Sequence, residues 1–98
     1  MILIPKSHTI PPLYTSEKMD DPICQIKLFT PDSSWTWYII EIDEAGKLCF
    51  GYVVGMESEL GYFALSEIRE IKGALGLPVE RDTSFKPILL SEVKKGLS

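Results

Sequence analysis

The chain has 98 residues, of which 45% are hydrophobic and 24% are charged, and 10 Lys+Arg against 14 Asp+Glu give a net charge of −4. This composition is typical of a folded globular chain and excludes intrinsic disorder, collagen-like repeats and low complexity. A chain of this size has one modest core and little room for an enclosed active site. We therefore expect a single domain over residues 1–98, with its function on the surface.

The basic residues are scattered, and Lys94 and Lys95 are the only adjacent pair. Binding to a duplex requires a clustered basic surface, so direct nucleic-acid binding of this kind is disfavoured. No apolar run is long enough to span a membrane, and the opening Met-Ile-Leu-Ile stretch stops at Pro5, too short for the apolar part of a signal peptide. The sequence thus predicts a cytoplasmic protein without membrane contact.

A proline-rich lead occupies residues 1–22 and holds four of the seven prolines. Proline fixes φ and has no N–H to donate, so we expect extended coil packed on a sheet, with a short edge strand at residues 2–4. The apolar side chains that would anchor this lead are Ile10, Leu13 and Tyr14.

Three runs rich in β-branched and aromatic residues follow, at 23–30, 35–43 and 47–55. The segment 31–34 has the composition of a hairpin loop, and Gly46 can take the left-handed conformation that closes a second one. These features predict an antiparallel three-stranded meander.

The second half contains fewer regular elements. We expect a loop from Gly55 to Gly61, a short fourth strand at 62–65, and one main helix that begins at a Ser66 N-cap and ends at Gly73 or Gly76. A charged extended piece at 79–85 and a last helical turn from Ser91 complete the chain. The predicted fold is therefore α+β: an antiparallel three- to four-stranded meander sheet, one main helix and extended terminal segments.

The two cysteines, Cys24 and Cys49, fall in the first and third predicted strands. Two strand spacings would separate their Cα atoms by roughly 9 to 10 Å, which a disulfide cannot span. We predict free, buried thiols in a reducing compartment.

Both faces of the central strand are apolar. Trp35 and Trp37 point to one face, and Tyr38, Ile40 and Ile42 point to the other. We expect the helix to cover one face and the terminal segments the other; the alternative is that one face stays open as a partner surface with a tryptophan at its centre.

The residues that carry chemistry form no recognisable constellation. The single histidine, His8, has no neighbouring partner for a dyad, and two separated cysteines with one histidine lack zinc-ligand spacing. We predict no catalytic residues, no metal and no cofactor. The run 50–53 (Phe-Gly-Tyr-Val) matches the centre of an RNA-recognition motif, but the flanking residues do not, so we favour packing of Phe50 and Tyr52 under the main helix.

The strongest candidates for partner binding lie in the predicted loop. An apolar side chain stands there beside two carboxylates, with a tyrosine just beyond: Met56, Glu57, Glu59 and Tyr62. The alternative is that Glu57 and Glu59 are only solvated charges of a loop. A second, weaker set is Glu80, Arg81 and Asp82, whose alternation places the two acids on one side; a structural ion pair is the competing reading. Trp35 and Trp37 are further candidates.

Several blocks together are similar to a known bacterial family. They are Ile-Pro-Pro-Leu-Tyr at 10–14, Trp-Thr-Trp-Tyr at 35–38, Glu-Leu-Gly-Tyr-Phe at 59–63 and Gly-Leu-Pro-Val-Glu-Arg-Asp at 76–82. The chain resembles the family catalogued as domain of unknown function 2958, over nearly its whole length. The resemblance implies an accessory protein of a plasmid, phage or other mobile element, and it carries over no catalytic residues.

Our leading hypothesis is a non-enzymatic, acidic interaction protein of a mobile element that binds a host protein. A specific form of it is inhibition of a host defence nuclease complex, in the anti-CRISPR or antirestriction manner, with carboxylates occupying a basic nucleic-acid channel. The alternative is a nucleic-acid-handling accessory domain that binds single strands through sheet aromatics.

Overall fold

A five-stranded antiparallel sheet organises the structure, a computed structural model that describes residues 2–6, 8–16 and 19–96. In chain order the elements are β1 Ile23–Cys24, β2 Ile26–Phe29, β3 Thr36–Ile42, β4 Leu48–Val54, β5 Ser58–Ala64, α1 Leu65–Glu70, β6 Glu80–Arg81, β7 Ile88–Leu89 and α2 Leu90–Lys94. The sheet has the order β5-β4-β3-β2-β6, while β1 and β7 pair separately. The fold is α+β, with sheet predominating.

The predicted antiparallel meander is present, with two differences. The first predicted strand is interrupted after Cys24, because β1 leaves the main sheet to pair with β7. The predicted loop at 55–61 is wrong: Gly55 N–H donates to the Glu57 carbonyl at 3.0 Å, and β5 already begins at Ser58. Pairing with β4 imposes strand structure on a segment whose Glu and Gly have low β-propensity.

The helices also differ from expectation. α1 does begin near Ser66, but Ala64 is the N-cap residue and makes no side-chain cap bond, since β5 runs directly into the helix. The helix ends at Glu70, before Gly73 and Gly76, which lie in a separate turn. With six residues in α1 and five in α2, there is no single main helix. Residues 2–4 form a bend and not an edge strand.

Both faces of the sheet are covered, but Leu3, Ile4 and Ile10 of the lead pack on the same face as α1 and not, as predicted, on the opposite one. On the α1 face, Trp37 and Ile39 join Leu65 and Ile68 of the helix, and Leu3 of the lead packs with them. The core residues of the opposite face, the α2 face, are Cys24, Tyr38, Ile40, Leu90 and Val93. Cys49 belongs to the α1-face core, so the two cysteines, both free and buried, lie on opposite faces.

A β-bulge in β3 changes which side chains share a face. Ile39 pairs with Gly51 and Glu41 pairs with Phe50, so Ile40 is the extra residue. Ile42 consequently packs against the α1-face core, and its predicted place beside Tyr38 is wrong. Phe50 and Tyr52 pack on the α2 face, so their predicted position under the helix at Ser66 is also wrong.

The bulge also buries a carboxylate. The Glu41 side chain is 1% exposed and accepts hydrogen bonds from the Tyr14 N–H at 2.9 Å and the Ser16 N–H at 2.5 Å. The Ser16 and Thr15 hydroxyls also donate to it. Burial alone would raise the pKa of Glu41, but these donors outweigh burial and lower it. The lead is thus attached to the sheet through an ionised, fully bonded carboxylate.

Three other carboxylates organise turns and helix ends. Asp21 accepts from the N–H and the hydroxyl of Ser91 at the start of α2, and these bonds lower the pKa of Asp21. Asp43 accepts from the N–H of Lys47 in the β3–β4 hairpin, which lowers the pKa of Asp43. Asp32 reaches from the β2–β3 loop to the Leu75 N–H at 2.6 Å.

No helix in the described part of the chain is long and apolar enough to cross a membrane.

We predict that Glu41→Gln lowers the free energy of unfolding at pH 7 by about 2 kcal/mol, because a neutral amide replaces the carboxylate that accepts charge-assisted hydrogen bonds. A lowered folded-state pKa stabilises the fold above the usual value of 4.5, and this stabilisation is lost as the pH falls through the folded value. The variant should therefore lose less stability than wild type between pH 5 and pH 3. Urea unfolding at several pH values measures this, with Glu44→Gln in an exposed turn as the control. An equal pH dependence in both variants would contradict the assignment.

The thiols should be inert in the folded protein. Burial raises the pKa of Cys24 and of Cys49 to about 12. At pH 8 we therefore expect negligible alkylation of the native protein, and modification of both thiols after unfolding in denaturant without reductant. Intact-mass measurement distinguishes the two states. Rapid native alkylation of either cysteine would show that its face of the sheet is open to solvent.

Candidate functional site

Strand β5 forms one edge of the sheet, and among the described residues only β4 pairs with it. Two hydrogen bonds, from Leu65 N–H to Lys47 C=O and from Gly55 N–H to Glu57 C=O, show that the odd-numbered residues of β5 are the ones that bond to β4. In an antiparallel pair, alternate residues bond to the partner strand, so the main chains of Ser58, Leu60 and Tyr62 point away from β4.

This edge lacks the usual protection against pairing with another chain. β5 is seven residues long, contains no proline and carries a single charge, Glu59. Across residues 2–6, 8–16 and 19–96, no main-chain hydrogen bond reaches the outer side of Ser58 or Leu60. Natural edge strands are commonly short, charged or covered, so an open edge of this length indicates an interaction site.

A groove runs beside the edge on the α1 face. Its volume is about 310 Å³, and it is lined by Trp35, Trp37, Tyr62, Phe63, Glu67, Ile68 and Ile71. Register places Gly61 on this face, since Phe63 pairs with Cys49 of the α1-face core. A Cβ at Gly61 would meet no atom within 4 Å. Because Gly61 has no side chain, nothing at this position of β5 separates the groove from the strand edge.

Two stacked tryptophans form one wall of this groove. The indoles of Trp35 and Trp37 have centroids 6.1 Å apart and planes inclined by 23°. Trp37 is buried, whereas Trp35 is 39% exposed and lies over Gly55, where an added Cβ would come within 2.6 Å of its ring. The absence of a side chain at Gly55 thus allows Trp35 to lie against the sheet.

A second apolar surface flanks the edge on the α2 face. Leu60 is 45% exposed and Tyr62 is 52% exposed. The Tyr62 ring contacts that of Phe50 at 5.0 Å and lies 6.3 Å from that of Tyr14, which comes from the lead. An incoming strand would therefore find apolar side chains on both sides of its backbone.

Three carboxylates lie at this edge, and Lys94 borders its α2 side together with Leu60 and Tyr62. Glu57 lies in the turn before β5, Glu59 lies on the α1 face of β5, and Glu67 lines the groove. Met56, beside Glu57, is 95% exposed. The edge thus offers main-chain hydrogen bonds, two apolar surfaces and negative charge.

The family profile described as "Protein of unknown function (DUF2958)" matches residues 8–93. The chain belongs to this family. The match takes in all seven strands and α1, and it confirms the resemblance seen in the sequence. Neither the curated proteins nor the solved structures contain a match to this chain.

The sequence-predicted partner residues separate into two groups in space. Six of them gather at or beside the β5 edge: Trp35, Trp37, Met56, Glu57, Glu59 and Tyr62. Glu80, Arg81 and Asp82 lie at the opposite edge, since β6 and β5 are separated by three strands, or about 19 Å.

Contacts at the β6 edge join it to the lead and to β2. Arg81 donates to the Ile2 carbonyl at 2.7 Å, and Asp82 lies 3.8 Å from the Lys27 ammonium. His8 lies nearby, with Nε2 at 3.3 Å from the Gln25 side-chain oxygen. Within the described residues, no three His, Cys, Asp or Glu side chains are placed to hold a metal ion.

Sequence reasoning missed several residues of the β5 edge. The sequence marks Gly61 only as the end of the predicted loop, and Ile68 and Ile71 fall in the predicted main helix. The usable signal was the alternation of Leu60, Tyr62 and Ala64 with Glu59, Gly61 and Phe63, which has the period of a strand.

We predict that Gly55→Ala displaces the Trp35 indole from the groove wall. The new Cβ would overlap ring atoms, and a half-exposed indole can rotate into solvent. We expect red-shifted tryptophan emission and stronger acrylamide quenching, with the same far-UV circular dichroism as wild type. Gly61→Ala is the matched control, because its Cβ enters open space and should leave the emission unchanged. Identical spectra for both variants would contradict this placement of Trp35.

Proposed function

We propose that this chain is a non-enzymatic interaction protein of a mobile element, and that it binds a host protein through the β5 edge. The single observation that supports this most is the open edge itself, with outward main-chain groups at Ser58 and Leu60. Addition of a strand to such an edge is a common mode of recognition, in which main-chain bonds provide affinity and flanking pockets provide specificity. On this proposal the protein acts in the cytoplasm.

The charge at the edge favours a basic partner. Glu57, Glu59 and Glu67 would face it, and complementary charge speeds association and disfavours acidic competitors. Complexes that hold nucleic acid have basic surfaces, so inhibition of a host defence nuclease is the specific form that we propose. The mobile-element origin rests on the family resemblance alone.

Binding of single-stranded nucleic acid has weaker support. The two aromatics that suggested it, Phe50 and Tyr52, are partly buried and packed against the α2-face core. The Lys94 ammonium lies over the Tyr52 ring, 5.6 Å from its centroid. Stacking of bases on this pair would require displacement of α2, whereas strand addition at β5 requires no rearrangement.

Affinity capture from a bacterial lysate tests the proposal when wild type is compared with Leu60→Lys. Leu60 is exposed on β5, and the substitution should remove apolar contact and repel a basic partner. We expect wild type to retain a host protein in stoichiometric amount and Leu60→Lys to lose at least nine-tenths of it. Leu75→Lys is the matched control, because Leu75 is 80% exposed in a distant turn. Equal retention by both variants, or recovery of nucleic acid in place of protein, would contradict the proposal.

A further inference from the structure

We infer that the occupant of the β5 edge is an extended basic segment of the partner, which adds as a sixth strand and places a large apolar side chain over Gly61, in the groove of the α1 face. This inference rests on the proposed function and specifies the ligand of the same site. It follows from the register of β5, the shape of the groove and the sign of the surrounding charge.

Register determines which partner side chain reaches the groove. Glu59, Gly61 and Phe63 share the α1 face of β5, because their partners on β4 are Val53, Gly51 and Cys49. The residue of an added strand that lies opposite Gly61 therefore points to this face. Since Gly61 has no side chain, that residue can lean across it toward Trp37 and Phe63.

The groove lining sets the chemistry of that residue. Five apolar side chains line it, and about 310 Å³ is enough for a phenyl or long aliphatic group. Glu67 is the only charged residue in the lining. An apolar side chain with a basic residue two positions away on either side matches this arrangement, because those two positions share the α1 face and lie opposite Glu59 and Phe63, and Phe63 lines the groove together with Glu67.

A second copy of this chain fits the edge less well. Antiparallel pairing with Gly61 opposite itself leaves both grooves empty, and a shift that sets Glu59 opposite Gly61 brings a carboxylate toward Glu67. The opposite shift would require Phe63, but its side chain already packs against its own core. Each copy also carries a net charge of −4. Charge complementarity therefore favours a basic segment from another protein.

The probe is an acetylated and amidated peptide, Thr-Arg-Val-Phe-Val-Arg-Thr, whose symmetric pattern suits either strand direction and which contains no tryptophan. We expect saturable binding detected by tryptophan fluorescence, with amide exchange at Ser58 and Leu60 slowed at least tenfold. Replacing the phenylalanine by alanine should weaken binding at least tenfold, because burial of a phenyl group in the groove is lost. Replacing both arginines by glutamate should abolish binding.

Two variants of the protein assign these effects to residues. Gly61→Leu places a side chain of the protein itself in the groove, so it should bind the phenylalanine and alanine peptides within threefold of each other. Glu59→Lys should reverse the preference between the arginine and glutamate peptides. Glu44→Lys, which makes the same charge change in an exposed turn, should leave both preferences unchanged. Circular dichroism and thermal unfolding would verify that each variant is folded.

Three results would overturn the inference: no protection of Ser58 and Leu60 at millimolar peptide, unchanged phenylalanine preference in folded Gly61→Leu, or concentration-dependent protection without peptide, which would identify a second copy as the occupant. A captured host protein that Leu60→Lys loses and Gly61→Leu keeps would overturn the groove assignment alone and leave the proposed function standing. Capture that is insensitive to Leu60→Lys would instead contradict the proposed function.

Discussion

The buried carboxylate of Glu41 is the interaction on which the arrangement of both faces depends. The bulge beside it turns Ile42 to the α1 face and leaves Glu41 facing the lead, where four donors from residues 14–16 surround it. Tyr14 has a positive φ of 71°, an unfavourable conformation for a bulky residue, and its N–H is one of those donors. Holding this turn in place also sets the Tyr14 ring beside Tyr62. A buried carboxylate and its hydrogen bonds therefore shape the surface next to the β5 edge.

The two edges of the sheet differ in strand length and in the contacts that cover them. At the β6 edge, a strand of only two residues is held by the bond from Arg81 to Ile2 and by the ion pair of Lys27 with Asp82. At the other edge, β5 is seven residues long, has open space at Gly61 and is bordered by apolar side chains on both faces. An open strand edge of this kind favours association with another chain, and for that reason we propose it as the binding surface.

Two groups of carboxylates in this chain have different roles. Asp21, Asp32, Asp43 and Glu41 are consumed by the fold, since each accepts main-chain N–H groups at a helix start, a turn or the lead. Glu57, Glu59 and Glu67 have no such role among the contacts of the structure and lie together at the β5 edge. Net charge alone does not locate a charged surface. The positions of Glu57, Glu59 and Glu67 show that negative charge is concentrated at the β5 edge.

The sequence by itself determined the local features: the hairpins at Asp32 and Gly46, the strands rich in Ile, Val and aromatics, and the helix near Ser66, because turn chemistry and side-chain periodicity act between near neighbours. Only the tertiary structure decided that 58–64 is a strand, that Ile42 changes face and that α1 ends at Glu70. These outcomes depend on partners far along the chain: β4 for β5, the β4 register for the bulge, and Asp32 for the turn around Gly73. The candidate residues could be named from the sequence. Only the sheet order showed that one set lies at the β5 edge and that Glu80, Arg81 and Asp82 lie at the β6 edge. Strand order depends on long-range pairing, which no local sequence pattern encodes.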